Sequence, residues 1–202
     1  MAETDRADDP RGDIANSIVA IVLAAGAGSR FSGDVHKLLA PLGGSTVIGS
    51  SLSNVLTAGF SKVIVVTGAA SLPDALITDS RLLLVHNGRW SQGQASSLQV
   101  GIDAARTLGA DAVVVGLGDQ PFIEPEAWRR VAAAESPIAI ASYAGRRGHP
   151  VKLDRSVWKE LPAEGDFGAR DLILMRPDKV SQVDCPGSAT DIDTQEDLEQ
   201  WT

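Results

Sequence analysis

Residues 18–37 read IVAIVLAAGAGSRFSGDVHK, an aliphatic run followed by small residues, glycines and two cations. The aliphatic run, residues 18–24, predicts a buried strand. The loop of residues 25–29 follows it, at the position where open α/β folds bind ligands. Glycines there let backbone N–H groups approach phosphate oxygens, and Arg30 and Lys37 supply positive charge. The stretch predicts an α/β fold with an anion-binding loop; a tight turn with two solvated cations is the alternative interpretation.

The rest of the chain repeats the alternation of short β-branched runs with segments of helical periodicity. This pattern is typical of parallel strands joined by crossover helices and predicts a three-layer α/β sandwich. The further predicted strands are 62–68, 81–86, 111–117, 137–142 and 179–185, and residues 143–153 predict a hairpin-like return strand. The predicted helices are 46–59, 95–109, 124–135, 166–177 and 194–201, the last beginning with a capping box of Thr194 and Asp197.

Composition narrows the class of protein. The 202 residues are 44% hydrophobic and 22% charged, as in an ordinary globular domain, and the formal net charge is −8. That charge argues against nucleic acid as a partner, because phosphate-backbone binding draws on a broad basic surface. The single cysteine, Cys185, allows no internal disulfide, and no apolar run reaches the length of a membrane span. We therefore expect a cytoplasmic protein that does not enter membranes.

The first sixteen residues differ from the remainder. Residues 1–16 carry five acidic and two basic side chains with almost nothing apolar, which predicts a disordered acidic tail. They also lack the apolar core of a secretory signal. Residues 17–202 show no internal repeat and no linker, so we expect them to form a single domain.

The loop fits neither of two familiar phosphate-binding motifs. The dinucleotide fingerprint needs a third glycine where Phe31 stands, and the Gly-Lys-Ser/Thr of the Walker motif does not occur. What remains is a glycine-rich loop with its own trailing Arg and Lys.

Carboxylates follow the predicted strand 111–117 and precede the terminal helix. Asp119, in the segment LGDQP, would lie beside the glycine loop, and magnesium bound to substrate phosphates typically takes one or two protein carboxylates. Asp191 and Asp193 form a second candidate pair. The structural alternatives are a turn-capping role for Asp119 and helix capping for the other two. His36 and His86 have no partner in the sequence that would complete a zinc site.

Together these segments resemble the MobA-like nucleotidyltransferases that mature the molybdenum cofactor, most closely the cytidylyltransferase branch. The resemblance rests on six ordered motifs, LAAGAGSR with Lys37, NGRWSQGQASSL (87–98), LGDQP (117–121), YAGRRGHPV (143–151), GDFGAR (165–170) and DIDTQEDL (191–198). It implies the Rossmann-like, nucleotide-diphospho-sugar transferase type of α/β fold. It also implies a reaction in which the molybdopterin phosphate attacks the α-phosphorus of CTP and pyrophosphate leaves, with a molybdoenzyme as possible recipient of the product.

The resemblance also implies roles for individual residues. Arg30, Lys37 and Asp119 would be catalytic, with Mg²⁺ held by Asp119 and by Asp193 or its rival Asp191. The nucleotide would be bound by Leu23, Ala24, Ala25, Gly26, Gly28, Ser29, Ser96 and Ser97. The acceptor would be bound by His149, Asp166 and Arg170. Two serines at a helix start could equally be ordinary caps, and a histidine between glycine and proline could simply shape a loop.

Two departures from the family pattern bear on these roles. Six residues separate Arg30 from Lys37, about two more than the pattern has, which could shift Lys37 out of the site. We therefore expect Arg30 to be the more firmly placed cation. Gln195 stands where the family has proline. The effect of this difference should be small, because that proline mainly preorganises the first helical turn.

Other functions compete with the cytidylyl reading. A transferase that uses GTP, or that acts on another phosphorylated acceptor, would keep the chemistry. Against GTP, Ala25 stands where the guanylyl branch has glycine, and its methyl group should narrow the space beside the base. An NAD(P)H-dependent oxidoreductase resembling nicotine-pigment reductases would keep the fold. The missing third glycine of the dinucleotide fingerprint argues against this function. A cofactor carrier without turnover would not need the candidate metal site.

Overall fold

The predicted apolar runs form one central sheet. The structure is a computed structural model that describes Ile14 and residues 17–31 and 35–201. In this part of the chain the sheet has seven strands, β1 (Ile18–Ala24), β2 (Val63–Thr67), β3 (Leu82–His86), β4 (Ala112–Leu117), β5 (Ile138–Tyr143), β6 (Arg146–Asp154) and β7 (Val180–Asp184). The predicted tail, residues 1–16, lies outside the described residues except for Ile14, which packs against the core.

The strand order is β3-β2-β1-β4-β6-β5-β7. Strand β1 pairs in parallel with β2 and β4, β2 pairs in parallel with β3, and β5 pairs in parallel with β7. Strand β6 is antiparallel to both β4 and β5, because it returns directly from β5 in a hairpin. The mostly parallel α/β sheet predicted from the sequence is thus confirmed.

Helices connect the strands, and most begin within a few residues of their predicted starts. Their bounds are α1 (Val47–Thr57), α2 (Gln94–Thr107), α3 (Pro125–Ala133), α4 (Arg170–Met175) and α5 (Gln195–Glu199). The predicted helix 166–177 is wrong at its start, because Gly168 has a φ of 52° and breaks the helical path just before α4. Within the described residues no helix combines the length and apolarity that crossing a membrane requires.

Both faces of the sheet are covered. Ala20, Val22 and Ala24 of β1 belong to the apolar cluster that includes residues of α1 and α3. Val19 and Ile21, pointing the other way, belong to the cluster that includes residues of α2. Burial of each large aliphatic side chain contributes roughly 1.5–3 kcal/mol of hydrophobic free energy. Because successive side chains of β1 face opposite sides of the sheet and both sets are apolar, helices pack on both faces and form three layers.

The carboxyl ends of β1, β2 and β4 meet at one edge of the sheet, and backbone hydrogen bonds join the loops that follow them. The N–H of Gly118 donates to the carbonyl of Leu23 at 2.9 Å, and that of Ala69 donates to the carbonyl of Ala25 at 3.0 Å. The N–H of Ile192 donates to the carbonyl of Asp119 at 2.9 Å. The segment before α5 is thereby brought to the same edge as the glycine loop.

Candidate active site

Lys37 lies between two carboxylates at this edge. Its Nζ donates to Oδ2 of Asp119 at 2.5 Å and to Oδ1 of Asp193 at 2.8 Å, although 82 and 156 residues separate these partners along the chain. The lysine side chain is 11% exposed. Burial acts to lower the pKa of the ammonium, but the two carboxylates outweigh burial and hold the pKa above its usual value. The cluster therefore keeps Lys37 charged.

The capping box of α5 fixes Asp193. Asp197 N–H donates to Oγ1 of Thr194 at 3.1 Å, and the Asp197 carboxylate accepts from the N–H of Thr194 at 2.8 Å, as the sequence predicts. The same carboxylate oxygen accepts from the N–H of Asp193 at 3.0 Å. A helix-capping motif thus sets the backbone from which the Asp193 side chain reaches Lys37.

Arg30 reaches the same carboxylate from the solvent side. Its guanidinium lies 3.0 Å from Oδ2 of Asp193, while its side chain is 74% exposed. Solvent weakens this ion pair, and an exposed arginine is free to leave it. The structure therefore reverses the expected order of the two cations, since Lys37 is the more firmly held despite the longer segment before it.

The glycine loop closes over this cluster. A small pocket of about 210 Å³ has the loop on one side and the charged cluster on the other. It is lined by the predicted residues Leu23, Ala24, Gly26, Gly28, Ser29, Arg30, Lys37, Asp119 and Asp193. Gly28 has a φ of 64°, and a Cβ there would lie 3.1 Å from Cγ of Lys37. A side chain at position 28 would therefore be strained and would crowd the lysine.

A second pocket of about 410 Å³ opens beside the loop. Ala25, Trp90 and Ser97 are among its lining residues. Of the two predicted serines, Ser96 is turned inward, and its single hydroxyl proton lies within reach of the carbonyls of Arg89 and Gly93. Ser97 is the serine in the pocket wall. Trp90, which carried no role in the sequence argument, could have been singled out as the large side chain in NGRWSQGQASSL.

A third cavity, larger than these two pockets, is a cleft of about 950 Å³ lined by residues of β4, β5 and β6. His149, Asp166 and Arg170, the predicted acceptor residues, all line it. His149 lies where the β5–β6 register shifts, so that Ile140 pairs with Val151 while the next residue of β5 pairs with Gly148. The two extra residues of this bulge carry the histidine to the cleft.

Asp191 lies at the junction of the second pocket and the large cleft. Its Oδ1 accepts from Nε2 of the buried Gln120 at 2.7 Å. Burial, together with the nearby Asp119 and Asp193, raises the pKa of Asp191. Lys37 bonds Asp193 and not Asp191, so of the two rivals the structure brings Asp193 to the charged cluster.

The donor set suits a cation that also binds phosphate. In residues 17–31 and 35–201 no three His, Cys, Asp or Glu side chains converge as a preformed metal cage. Asp119 and Asp193, however, turn oxygens toward one shared cation, the Lys37 ammonium. Mg²⁺ is commonly held by one or two carboxylates with substrate phosphates completing its shell, and this pair fits that need.

The pKa of His149 yields a prediction about acid stability. Burial lowers the pKa from 6.5 to about 4 in the folded protein, against a smaller opposite effect of Asp119. Between these values the unfolded chain binds a proton that the folded protein does not, so the free energy of unfolding falls as pH drops from 6.5 toward 4. We expect His149→Asn to lose less stability than the wild type over this interval.

Urea unfolding at a series of pH values measures this difference. His86→Asn is the matched control for the substitution itself, because His86 is exposed at the end of β3. Parallel curves for His149→Asn and the wild type would show that His149 protonates equally easily in both states.

The family follows from a match over most of the chain rather than from any one residue. The family model described as the MobA-like NTP transferase domain matches residues 20–180. The chain belongs to this family. The matched range of this MobA-like transferase includes the glycine loop, Lys37 and Asp119, while Asp191 and Asp193 follow it.

Two known relatives of this MobA-like transferase match over nearly its full length. The purine catabolism protein PucB of Bacillus subtilis is 27% identical over 195 residues, covering 90% of this chain and 94% of that protein. The molybdenum cofactor cytidylyltransferase of Escherichia coli is 24% identical over 187 residues, covering 91% and 94%.

Solved structures agree with the fold. Rv0371c of Mycobacterium tuberculosis has a TM-score of 0.78 and 31% identity, covering 91% of this chain and 96% of that one. A complex of Rv0371C with manganese has a TM-score of 0.73 and 29% identity, covering 91% and 97%. The present chain is therefore a nucleotidyltransferase-family protein in both sequence and fold.

Proposed function

We propose that this protein is a Mg²⁺-dependent cytidylyltransferase that transfers CMP from CTP to the terminal phosphate of the molybdopterin cofactor. The observation that carries the proposal is the Asp119–Lys37–Asp193 cluster, which lies directly against the glycine loop. Cations and carboxylates side by side at a loop of backbone donors suit a polyphosphate that brings its own metal ion. The relation to the Escherichia coli cytidylyltransferase supports CTP and this acceptor.

In the proposed reaction an oxygen of the acceptor phosphate forms a bond to the α-phosphorus of CTP. The bond from that phosphorus to the bridging oxygen breaks, and pyrophosphate leaves with its electron pair. The protein's task is to align the two phosphates and to neutralise charge. The backbone of residues 25–29 would hold the triphosphate, and Lys37 and Arg30 would stabilise the charge that develops on pyrophosphate.

The metal fits the residues present. Asp119 and Asp193 would hold Mg²⁺, which when bound supplies charge neutralisation for the triphosphate. Lys37 would then serve the phosphates, since its ammonium remains charged. Asp191, held by Gln120, would lie toward the acceptor rather than among the metal ligands.

We assign each part of the proposed reaction to one of the three cavities. The pocket with Trp90 and Ser97 would hold the cytosine nucleoside, with the Ala25 methyl in its wall favouring the smaller base. The large cleft would hold the acceptor, whose phosphate could be met by Arg170. Asp119 and Asp193 lie in the walls of both nucleotide pockets, so the metal ligands would face the bond that breaks.

Incubation of the purified protein with CTP, Mg²⁺ and molybdopterin cofactor tests the proposal. We expect pyrophosphate to be released in a one-to-one ratio with a cytidylylated product, measured by a coupled pyrophosphate assay and mass spectrometry. Parallel reactions contain GTP or ATP in place of CTP, and a further reaction contains NADPH.

The outcomes separate the alternatives. Faster turnover of GTP would replace the cytidylyl assignment by a guanylyl one and keep the chemistry. NADPH oxidation, with no pyrophosphate from any nucleotide, would overturn the transferase proposal. Tight binding of the cofactor without turnover would indicate a carrier.

A further inference from the structure

His36 makes two hydrogen bonds that tie the glycine loop to the segment carrying Lys37. Its Nε2 lies 3.0 Å from the carbonyl oxygen of Gly26, ten residues earlier in the chain. Its Nδ1 accepts from the backbone N–H of Leu38 at 3.3 Å and caps the short 3-10 turn Lys37–Leu39. One imidazole ring therefore contacts both walls of the small pocket.

These two partners require one form of the ring. A backbone N–H can only donate, so the Nδ1 that faces Leu38 carries no proton. A carbonyl oxygen can only accept, so the Nε2 that faces Gly26 carries the proton. The geometry thus selects the neutral Nε2–H tautomer, in which both contacts are satisfied at once.

The bond to Gly26 sets the direction of the next peptide group. Across a planar trans peptide the C=O and the following N–H point in opposite directions. With the Gly26 oxygen turned toward His36, the N–H of Ala27 is turned away from it. Ala27 lines the pocket beside the loop, where an N–H that does not face His36 could donate to a ligand.

The ring also supports the loop by contact. A Cβ on Gly28 would lie 3.3 Å from Nε2 of His36 and 3.1 Å from Cγ of Lys37. The imidazole and the lysine stem therefore pack beneath Gly28, where its φ of 64° bends the loop over them. His36 holds the loop and the lysine in one fixed relation.

We propose that His36 is a positioning residue for nucleotide binding, acting through its hydrogen bond to the Gly26 carbonyl. This inference rests on the proposed function, because it assigns the loop to the triphosphate. The cap on Leu38 is a separate contribution that serves the stability of the 3-10 turn. The two bonds of one ring thus have two distinguishable consequences.

Two amide substitutions separate the bonds. In His36→Asn the amide oxygen takes the place of Nδ1, and Asn is a favoured N-cap residue, so the bond from Leu38 remains while the reach to Gly26 is lost. In His36→Gln the longer side chain carries an N–H to about the position of Nε2, so the bond to Gly26 remains and the cap is lost. Each variant is the other's control.

Hydrogen exchange and kinetics measure the consequences. We expect His36→Asn to accelerate amide exchange in residues 25–31 by about tenfold and to raise the KM for CTP by about tenfold, with kcat within about twofold of the wild type. His36→Gln should keep the exchange of residues 25–31 and the KM near wild-type values while exchange at residues 38–40 accelerates. Recovery of CTP binding by glutamine and not by asparagine distinguishes positioning from general stabilisation.

Other results would overturn the inference. Equal exchange in residues 25–31 for both variants and the wild type would show that the bond to Gly26 does not hold the loop. Wild-type KM in His36→Asn together with a raised KM in His36→Gln would reduce His36 to a cap. If the wild type turns over no nucleotide, the proposed function fails, and the exchange experiment still decides whether His36 fixes the loop.

Discussion

Asp119→Asn is expected to lower nucleotidyl transfer by about a thousandfold while the melting temperature stays within a few degrees of the wild-type value. The change removes a charge that the proposed metal site needs and keeps the size of the side chain. The backbone carbonyl of Asp119, which accepts from the N–H of Ile192, is unaffected. Pyrophosphate release and thermal unfolding measure the two effects.

A matched variant controls for the loss of one negative charge elsewhere on the protein. Asp103→Asn makes the same change on the exposed face of α2, where Asp103 pairs with Arg106, and should retain wild-type turnover. Chelation of Mg²⁺ should reproduce the Asp119→Asn loss in the wild type. Full activity of Asp119→Asn would remove this residue from the metal site.

The fold could be predicted from the sequence because its signals are local. Strand β1 begins and ends at the predicted residues, since an aliphatic run bounded by small residues has few alternatives. The start of α4 was mispredicted because apolar spacing alone does not reveal that Gly168 adopts a left-handed conformation. The short 3-10 turn Arg155–Glu160 was missed because it is too short for a periodic pattern.

The sequence predicts which residues form the candidate site better than it predicts the contacts between them. Motifs placed Arg30, Lys37 and Asp119 at one sheet edge, because parallel strands end together there. The length of the segment between Arg30 and Lys37 does not predict which of the two cations is fixed in place, since Lys37 is fixed by carboxylates 82 and 156 residues away. His36 has no metal-binding partner in the sequence, whereas its partners in the structure are backbone groups, which residue types alone do not reveal.

The position of Lys37 has a consequence for metal binding. Its ammonium occupies the region between the Asp119 and Asp193 oxygens that would also hold a divalent cation. Two cations in contact repel by several kcal/mol at the effective dielectric of a protein surface. Metal binding therefore has to drive the ammonium away from the carboxylates, toward the phosphates it is proposed to serve.

Lys37→Met is accordingly expected to have two effects of opposite sign. Turnover should fall by about a thousandfold, because the triphosphate loses its buried cation. Mn²⁺ binding without nucleotide should tighten by about tenfold, because the carboxylates lose their competing ammonium. Arg30→Met should change both quantities less, since the exposed guanidinium is screened by solvent. Isothermal titration with Mn²⁺ and pyrophosphate release measure the two effects.

Thermal stability also reports the competition between the Lys37 ammonium and Mn²⁺ for the two carboxylates. Removal of the ammonium leaves Asp119 and Asp193 facing each other, so Lys37→Met should melt at a lower temperature and recover more stability from Mn²⁺ than the wild type does. Lys62→Met, at an exposed lysine that donates to the Ser80 carbonyl, should leave metal binding unchanged. Weaker Mn²⁺ binding in Lys37→Met would mean that the ammonium helps to arrange the carboxylates for the metal rather than competing with it. In that case Lys37 would stay with Asp119 and Asp193 throughout the reaction, and Arg30 would be the cation that meets the triphosphate.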